Sequence, residues 1–150
     1  MANPPTAYPR NRPAVPADDL ADTAKLLLRV ALGLLMLLHG IGKLNGGIAF
    51  VLAAVSKTGL PSALGYLVYV GELVAPVLLI VGALTRPAAI IVAINMVVAV
   101  WLVHAGQLWS LTPNGGWAIE LQALYLVVAL GVALLGAGRF SAGRVGGLWN

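Results

Sequence analysis

The sequence predicts an all-α integral membrane protein: a four-transmembrane-helix bundle with a short interfacial helix between the first two spans. Of its 150 residues, 60% are hydrophobic and only 9% are charged. A water-exposed globular domain normally carries about 25% charged residues, so lipid is the expected solvent for most of this surface. Four apolar segments also approach the length of about 20 residues that crosses the hydrocarbon of a bilayer.

The four predicted spans are separated by residues typical of turns. Gly59 and Pro61 precede the second span, and Pro87 begins the third span after a tight reversal. A loop rich in glycine, residues 112–116, precedes the fourth. The predicted spans are residues 25–43, 62–84, 87–103 and 117–138.

Three shorter segments complete the predicted organisation. Residues 48–55 are apolar but too short to cross a bilayer, so we expect an interfacial or re-entrant helix there. Residues 1–24 carry five prolines and are expected to form a disordered cytoplasmic tail, ending in a helix start capped by Asp18 or Asp19. Residues 25–141 form the predicted membrane domain, and residues 142–150 a C-terminal cytoplasmic tail.

Lysine and arginine predict the orientation of the chain. With four crossings, both tails and the loop between the second and third spans lie on one side. That side carries six basic residues and the other only two. Because basic residues are enriched in cytoplasmic loops, both termini are predicted to be cytoplasmic, in a bacterial inner membrane. The six are Arg10, Arg12, Lys25, Arg86, Arg139 and Arg144; the two are Lys43 and Lys57.

Composition also excludes several kinds of site. The chain has no cysteine, which excludes disulfides, iron–sulfur clusters and thiolate metal sites. The basic residues are scattered, so nucleic acid is not an expected partner. No Glu-x-x-His pair or His-Glu-x-x-His sequence is present, and no metal site is predicted. Haem held by His39 and His104 is compatible with their depth but is not favoured.

Ionisable residues inside the predicted spans are the candidates for function. Each costs about 2.5–3.5 kcal/mol at the centre of a span, so it is expected to face the bundle and to have a partner. At a rise of about 1.5 Å per residue most of them fall in the outer half of the bilayer. The candidate catalytic residues are Glu72 and His39, and the candidate cofactor-binding residues are Arg29, Lys43, His104 and Glu120.

Glu72 is the most informative of these residues because it lies near the predicted midplane. Pro76 follows four residues later and cannot donate to the carbonyl of Glu72, so a kink is expected. An acid beside a freed carbonyl suits the floor of a polar cavity. The alternative is a structural bond between helices, with Glu72 protonated or paired with Lys43 or His39.

Helical periodicity gives partial support for a common site. His39 and Lys43 are four residues apart and share one face of a helix. Asn95 and His104 are nine residues apart and should project to nearly opposite sides, so they are not expected to line one cavity unless the helix ends before His104. Each of four other residues has a structural role as its alternative. Arg29 can extend to the cytoplasmic interface, Lys43 can anchor the outer end of its helix, Asn95 can join two helices, and Glu120 can interact with a helix dipole.

Several of these residues stand in motifs with a recognisable order. The motifs are Arg29-x-x-x-Gly33, His39-Gly40-x-x-Lys43, Gly59-x-Pro61, Glu72, Gly82-x-x-Thr85-Arg86-x-Ala88, Gly115-Gly116-x-x-x-Glu120 and Gly136-x-Gly138-Arg139-x-Ser141. Over residues 26–141 the chain therefore resembles the DoxX family of small four-helix membrane proteins. It departs from the family pattern at Ala137, where proline is usual, and after Ser141, where no aspartate follows.

The resemblance implies a membrane role near quinone redox chemistry, as in the related thiosulfate:quinone oxidoreductase subunits, whereas distant relatives act as assembly factors. Quinone is then the expected cofactor or substrate. The family-like positions are Arg29, His39, Lys43, Glu72 and Glu120.

Three functional hypotheses follow. The first is an oxidoreductase subunit that binds a quinone or small aromatic in an outer-half cavity and works with a protein partner in a redox complex or as a homo-oligomer. In it His39 and Lys43 donate to the quinone, and Glu72 and Glu120 relay protons. The second is a non-catalytic scaffold or assembly subunit that anchors a partner protein. The third is a proton-coupled solute carrier, which the small size and the lack of repeats disfavour.

Overall fold

The computed structural model describes residues 17–143 and 149–150. Most of the predicted N-terminal tail and half of the predicted C-terminal tail lie outside these residues. The described residues form five α-helices: α1 (Ala17–Gly46), α2 (Ala49–Ser56), α3 (Ala75–Val81), α4 (Thr85–Ala99) and α5 (Glu120–Leu135). Two π-helices, Val70–Val74 and Val100–His104, precede α3 and follow α4, and 3-10 turns lie at Ser62–Leu67 and Ala105–Gln107. An isolated bridge joins Leu111 to Trp117 in the loop before α5.

Three continuous helical stretches are long and apolar enough to cross a membrane: Asp19–Gly46, Ser62–Val81 and Thr85–Gln107. They correspond to the first three predicted spans, and the multi-pass helical architecture is confirmed. Helix α5 coincides with the predicted fourth span, but its 16 residues are fewer than the about 20 that a span needs. Helix α2 occupies the predicted short segment. The crossing of α5 and the interfacial location of α2 stay predictions.

The long helices form a ring in which α1 and α4 each pack against both α3 and α5. Neighbours in the ring are antiparallel: Gly33 of α1 meets Ile80, and Gly40, two turns further along α1, meets Glu72. A continuous apolar core fills the ring. Its largest members are Leu32, Met36, Leu79, Val92, Met96, Tyr125 and Val132.

The outer surface of the ring is apolar as well. Leu27 is 65% exposed, Val127 65% and Leu134 78%. A soluble monomer rarely exposes contiguous apolar patches larger than a few hundred Å². This exterior therefore suits a lipid environment, in keeping with the scarcity of charge in the sequence.

Candidate functional site

Glu72 lies in the π-helix Val70–Val74, and Pro76 follows in the first turn of α3. Proline has no N–H to donate, so the helix cannot continue its regular bonding through this point. It widens instead, and the N–H of Ala75 bonds to the carbonyl oxygen of Val70, five residues back. The interruption expected beside Glu72 is therefore present as a π-helix. The Glu72 side chain itself is buried.

Side chains from three helices meet at Glu72. The Lys43 ammonium, on α1, donates to Glu72 Oε2 at 2.5 Å. The Asn95 amide, on α4, donates to Glu72 Oε1 at 3.4 Å. We call Lys43, Glu72 and Asn95 the Glu72 cluster. Its two charges neutralise each other, which offsets much of the cost of burying them.

Two glycines allow the helices to approach closely enough to form this cluster. A Cβ atom on Gly40 would lie 2.3 Å from the backbone carbonyl oxygen of Glu72. A Cβ atom on Gly71 would lie 2.6 Å from Asn95 Cγ. Glycine at these positions brings α1 onto the carbonyl that Pro76 leaves free and lets the Asn95 side chain reach Glu72.

A cavity of about 530 Å³ lies beside the Glu72 cluster. All three members of the cluster line it, together with His104. The rest of its wall is mainly apolar and comes from α2, from residues 60–70 and from the helical stretch of α4. A largely apolar cavity with a few converging polar groups is the usual form of a small-molecule site.

His104 belongs to the second π-helix, Val100–His104, and connects two helices. Its Nδ1 lies 3.2 Å from the carbonyl oxygen of Ala99, which can only accept, so Nδ1 carries the proton. Its Nε2 lies 3.2 Å from Gln122 Nε2 and accepts from that amide. These partners fit a neutral imidazole that ties the end of α4 to α5.

Asn95 and His104 both line the cavity. A regular α-helix through both residues would place them on nearly opposite sides, so a shared cavity was expected only if the helix ended before His104. The regular α-helix does end at Ala99, and a π-helix carries the chain on to His104.

His39 and Glu120 lie away from this cavity. His39 is exposed on α1 and packs edge-on against Tyr125, with 6.0 Å between ring centroids. Glu120 is the first residue of α5 and is exposed, with its carboxylate next to Gly116. Of the residues predicted to gather in the outer half, the structure brings together Lys43, Glu72 and His104.

Arg29 lies about 21 Å along α1 from Lys43, at the other end of the bundle. Its side chain is 1% exposed. Nη1 donates to the carbonyl oxygens of Leu79 and Ile80, each at 2.7 Å, and Nη2 donates to that of Phe140. The first two carbonyls belong to the last turn of α3, which has no helical donors left. Arg29 thus caps α3 and holds the segment after α5 against it.

Some residues of the site escaped the sequence-based prediction. Gln122 carries no charge, so the search for ionisable residues passed over it. Asn95 was expected to make a helix–helix contact, and its hydrogen bond to Glu72 is such a contact. The roles of Gly40 and Gly71 depend on tertiary contacts. Within residues 17–143 and 149–150, no group of three histidine or acidic side chains is placed to hold a metal ion.

Comparisons with known proteins bear on the family. The model of the DoxX family matches residues 24–105. An uncharacterized protein of Haemophilus influenzae is 35% identical over 118 residues, covering 74% of this chain and 81% of the relative. The putative oxidoreductase CatD of Bacillus subtilis is 32% identical over 117 residues, covering 78% of this chain and 81% of the relative. No solved structure matches significantly. The chain therefore belongs to the DoxX family of membrane proteins.

Proposed function

We propose that the protein is the membrane subunit of a quinone-linked redox system, and that the cavity beside the Glu72 cluster binds the quinone or a similar small aromatic. One observation carries the proposal: a mainly apolar cavity of about 530 Å³ is lined by a buried acid, Glu72, and by the Lys43 ammonium that pairs with it from a second helix. The similarity to a relative named as a putative oxidoreductase supports a redox role.

The Glu72 cluster has the chemistry that a quinone needs. A quinone carbonyl accepts hydrogen bonds, and its reduction to the quinol takes up two electrons and two protons. The Lys43 ammonium has three N–H donors, one of which is engaged by Glu72, so it retains donors for a carbonyl. Glu72 is the group that exchanges protons with the ring. Both nitrogens of His104 have protein partners, so His104 shapes the wall of the cavity.

The proposed site also refines the role expected of other residues. His39 and Glu120 lie outside the cavity, so the donor and relay functions fall to Lys43 and Glu72 in this proposal. In this proposal the electrons for the reduction come from a partner protein.

We further propose that α5 is a fourth crossing and that both termini lie in the cytoplasm of a bacterial cell. The packing of α5 supports the crossing: His39 meets Tyr125, and Lys25, fourteen residues earlier, meets Gly138, so α5 runs antiparallel beside α1. The distribution of basic residues, six against two, supports the orientation. Helix α2 then lies at the interface of the inner membrane that faces away from the cytoplasm. The Glu72 cluster lies in the half of the bilayer nearest that interface.

A non-catalytic scaffold is the second candidate, and the hydrogen bonding within the Glu72 cluster favours it. Lys43, Glu72 and Asn95 bond to one another, and such bonds hold three helices together without any ligand. In this case the cavity is filled by lipid, and the protein anchors a partner.

One purification separates the two candidates. The protein is extracted with its native lipids in nanodiscs, and the quinones and proteins that accompany it are identified by mass spectrometry. We expect a quinone in near-stoichiometric amount, and we expect it to be displaced by an added tail-less benzoquinone. A stable protein partner without enriched quinone would favour the scaffold.

A further inference from the structure

The cavity beside the Glu72 cluster opens sideways. Eight of its lining side chains are large, apolar and between 38% and 62% exposed. Five of these remain when Leu60, which precedes the second helical stretch, and Trp101 and Val103, near the end of the third, are set aside. They belong to two adjacent stretches of membrane-spanning length, Ser62–Val81 and Thr85–Gln107. The five are Leu64, Leu67 and Val70 on one side and Ile94 and Val98 on the other. We call the gap between these two rows the lateral opening.

The depth of the lateral opening places it in hydrocarbon. Val98 lies nine residues and Ile94 thirteen residues before Gln107, the end of the helical stretch. At about 1.5 Å per residue they are about 14 and 20 Å from that end, within a hydrocarbon layer about 30 Å thick. The opening therefore faces lipid chains and not water, while Lys43 and Glu72 line the same cavity.

A second cavity of about 330 Å³ adjoins the first, and its lining includes Lys57 and Thr58, just after α2. It shares Phe50 and Trp101 with the first cavity, together with Ala54, Leu102 and Val103. A ligand arriving from water on this side has to pass these apolar side chains. The lateral opening has no such barrier for a molecule dissolved in the bilayer.

From this geometry we propose that the ligand is a membrane-dissolved amphiphile: its polar ring lies at the Glu72 cluster, and its apolar tail leaves through the lateral opening into the bilayer. The inference rests on the proposed function and adds the class of substrate, a long-tailed quinone, and its route. An ion pair in an otherwise mainly apolar cavity, with exposed apolar side chains at its rim, matches a molecule with one polar end. An acyl chain of a lipid would leave the ion pair without a polar partner.

The tail gains little burial in the cavity, because in the bilayer it is already out of water. Its function is to bring the ring in through the lateral opening while it stays in hydrocarbon. Filling the opening should therefore exclude a tailed quinone but leave room for the ring alone.

The test uses two probes, a dimethoxy-methyl-benzoquinone with a decyl chain and the same ring without it. Binding is measured in nanodiscs, after subtraction of the quinone that dissolves in empty nanodiscs. Val98→Trp and Leu67→Trp fill the opening from opposite sides. Leu134→Trp, on the exposed face of α5 and away from the cavity, is the matched control. Thermal unfolding confirms that each variant is folded, and the second filling variant replaces the first if one is not.

We expect each filling variant to lower the affinity for the decyl quinone by about tenfold or more. This is the equivalent of an overpacking cost of about 1.4 kcal/mol. The affinity for the tail-less ring should change by less than about twofold, since both substitutions lie in the lateral opening and leave the three residues of the Glu72 cluster unchanged. If the affinities for both probes fell equally, or if neither fell, the lateral route would be overturned. If neither probe bound the unmodified protein, the proposed function itself would fail, which is a separate outcome.

Discussion

Lys43 and Glu72 form an ion pair between two helices at the edge of the cavity, with 2.5 Å between Nζ and Oε2. The Glu72 side chain is 7% exposed and that of Lys43 is 28% exposed. The pair is thus closed on the side of Glu72 and open on the side of Lys43. A ligand in the cavity meets an ammonium group that is held in place by a buried carboxylate.

Removing the carboxylate should destabilise the bundle more than neutralising it. Glu72→Leu leaves the Lys43 ammonium partly buried without a partner, and breaking such a pair costs about 3–5 kcal/mol. Glu72→Gln keeps one acceptor, its amide oxygen, for Lys43, and its NH2 group can donate to the Asn95 oxygen once the Asn95 amide turns over, so most of the stability should remain. Thermal unfolding in detergent compares the two variants. A Glu72→Leu protein as stable as Glu72→Gln would show that the ion pair does not hold the helices.

Because α1 packs closely on the π-helix, a larger residue at Gly40 should lower both stability and quinone affinity. Gly40→Ala places a methyl group 2.3 Å from the carbonyl oxygen of Glu72, which must move. We expect a loss of about 1–3 kcal/mol in the free energy of unfolding, with weaker quinone binding because Glu72 shifts.

Gly42→Ala is the matched control for Gly40→Ala. It lies on the same helix, and a methyl group there meets no atom within 4 Å. This variant should be neutral or more stable by about 0.5–1 kcal/mol, because alanine favours the helix. Similar losses for the two variants would contradict the packing of Gly40 against Glu72.

Arg29 should matter for stability and not for the ligand. Arg29→Lys cannot reach the carbonyls of Leu79, Ile80 and Phe140 together, and a buried carbonyl left unpaired costs about 1–3 kcal/mol. Quinone affinity of the folded protein should stay unchanged, because Arg29 is far from the cavity. Arg139→Lys, in an exposed pair with Asp19, is the control and should change stability by less than about 1 kcal/mol. A large loss of affinity in Arg29→Lys would contradict the capping role.

The topology gives a prediction that needs no ligand. A reporter fused after Asn150 should be active only in the cytoplasm. One inserted near Lys57 or Asn114 should be active only outside, because the basic residues favour cytoplasmic termini. An external C-terminus would overturn both the fourth crossing and the placement of the site in the outer half.

Much of the fold follows from the sequence because lipid imposes length and polarity on each helix. The three long stretches came from those rules, and Pro76 signalled the interruption beside Glu72. The second π-helix carries no such signal: Val100–His104 contains neither proline nor glycine. The sequence therefore does not signal where the regular α-helix ends, and this left open whether His104 shares a cavity with Asn95.

The sequence predicted only some of the residues that line the cavity. Periodicity places His39 and Lys43 on one face of α1, yet only Lys43 lines the cavity. Lys43 has a long flexible stem that carries its ammonium to Glu72, whereas the shorter His39 side chain stays against Tyr125. Helical phase gives the direction of a side chain, but its reach and the neighbouring helix decide what it contacts.

The most direct test of the account is the affinity of the tail-less benzoquinone for the Glu72→Gln protein, compared with the unmodified protein in nanodiscs. Without the carboxylate, Lys43 loses the charge that holds its ammonium at the cavity, and a charge-assisted hydrogen bond to the ring is worth about 1.5–3 kcal/mol. We therefore expect the affinity to fall by about tenfold or more while the unfolding temperature changes little. A stable Glu72→Gln protein that binds the quinone as tightly as the unmodified protein would contradict the central claim and favour the scaffold.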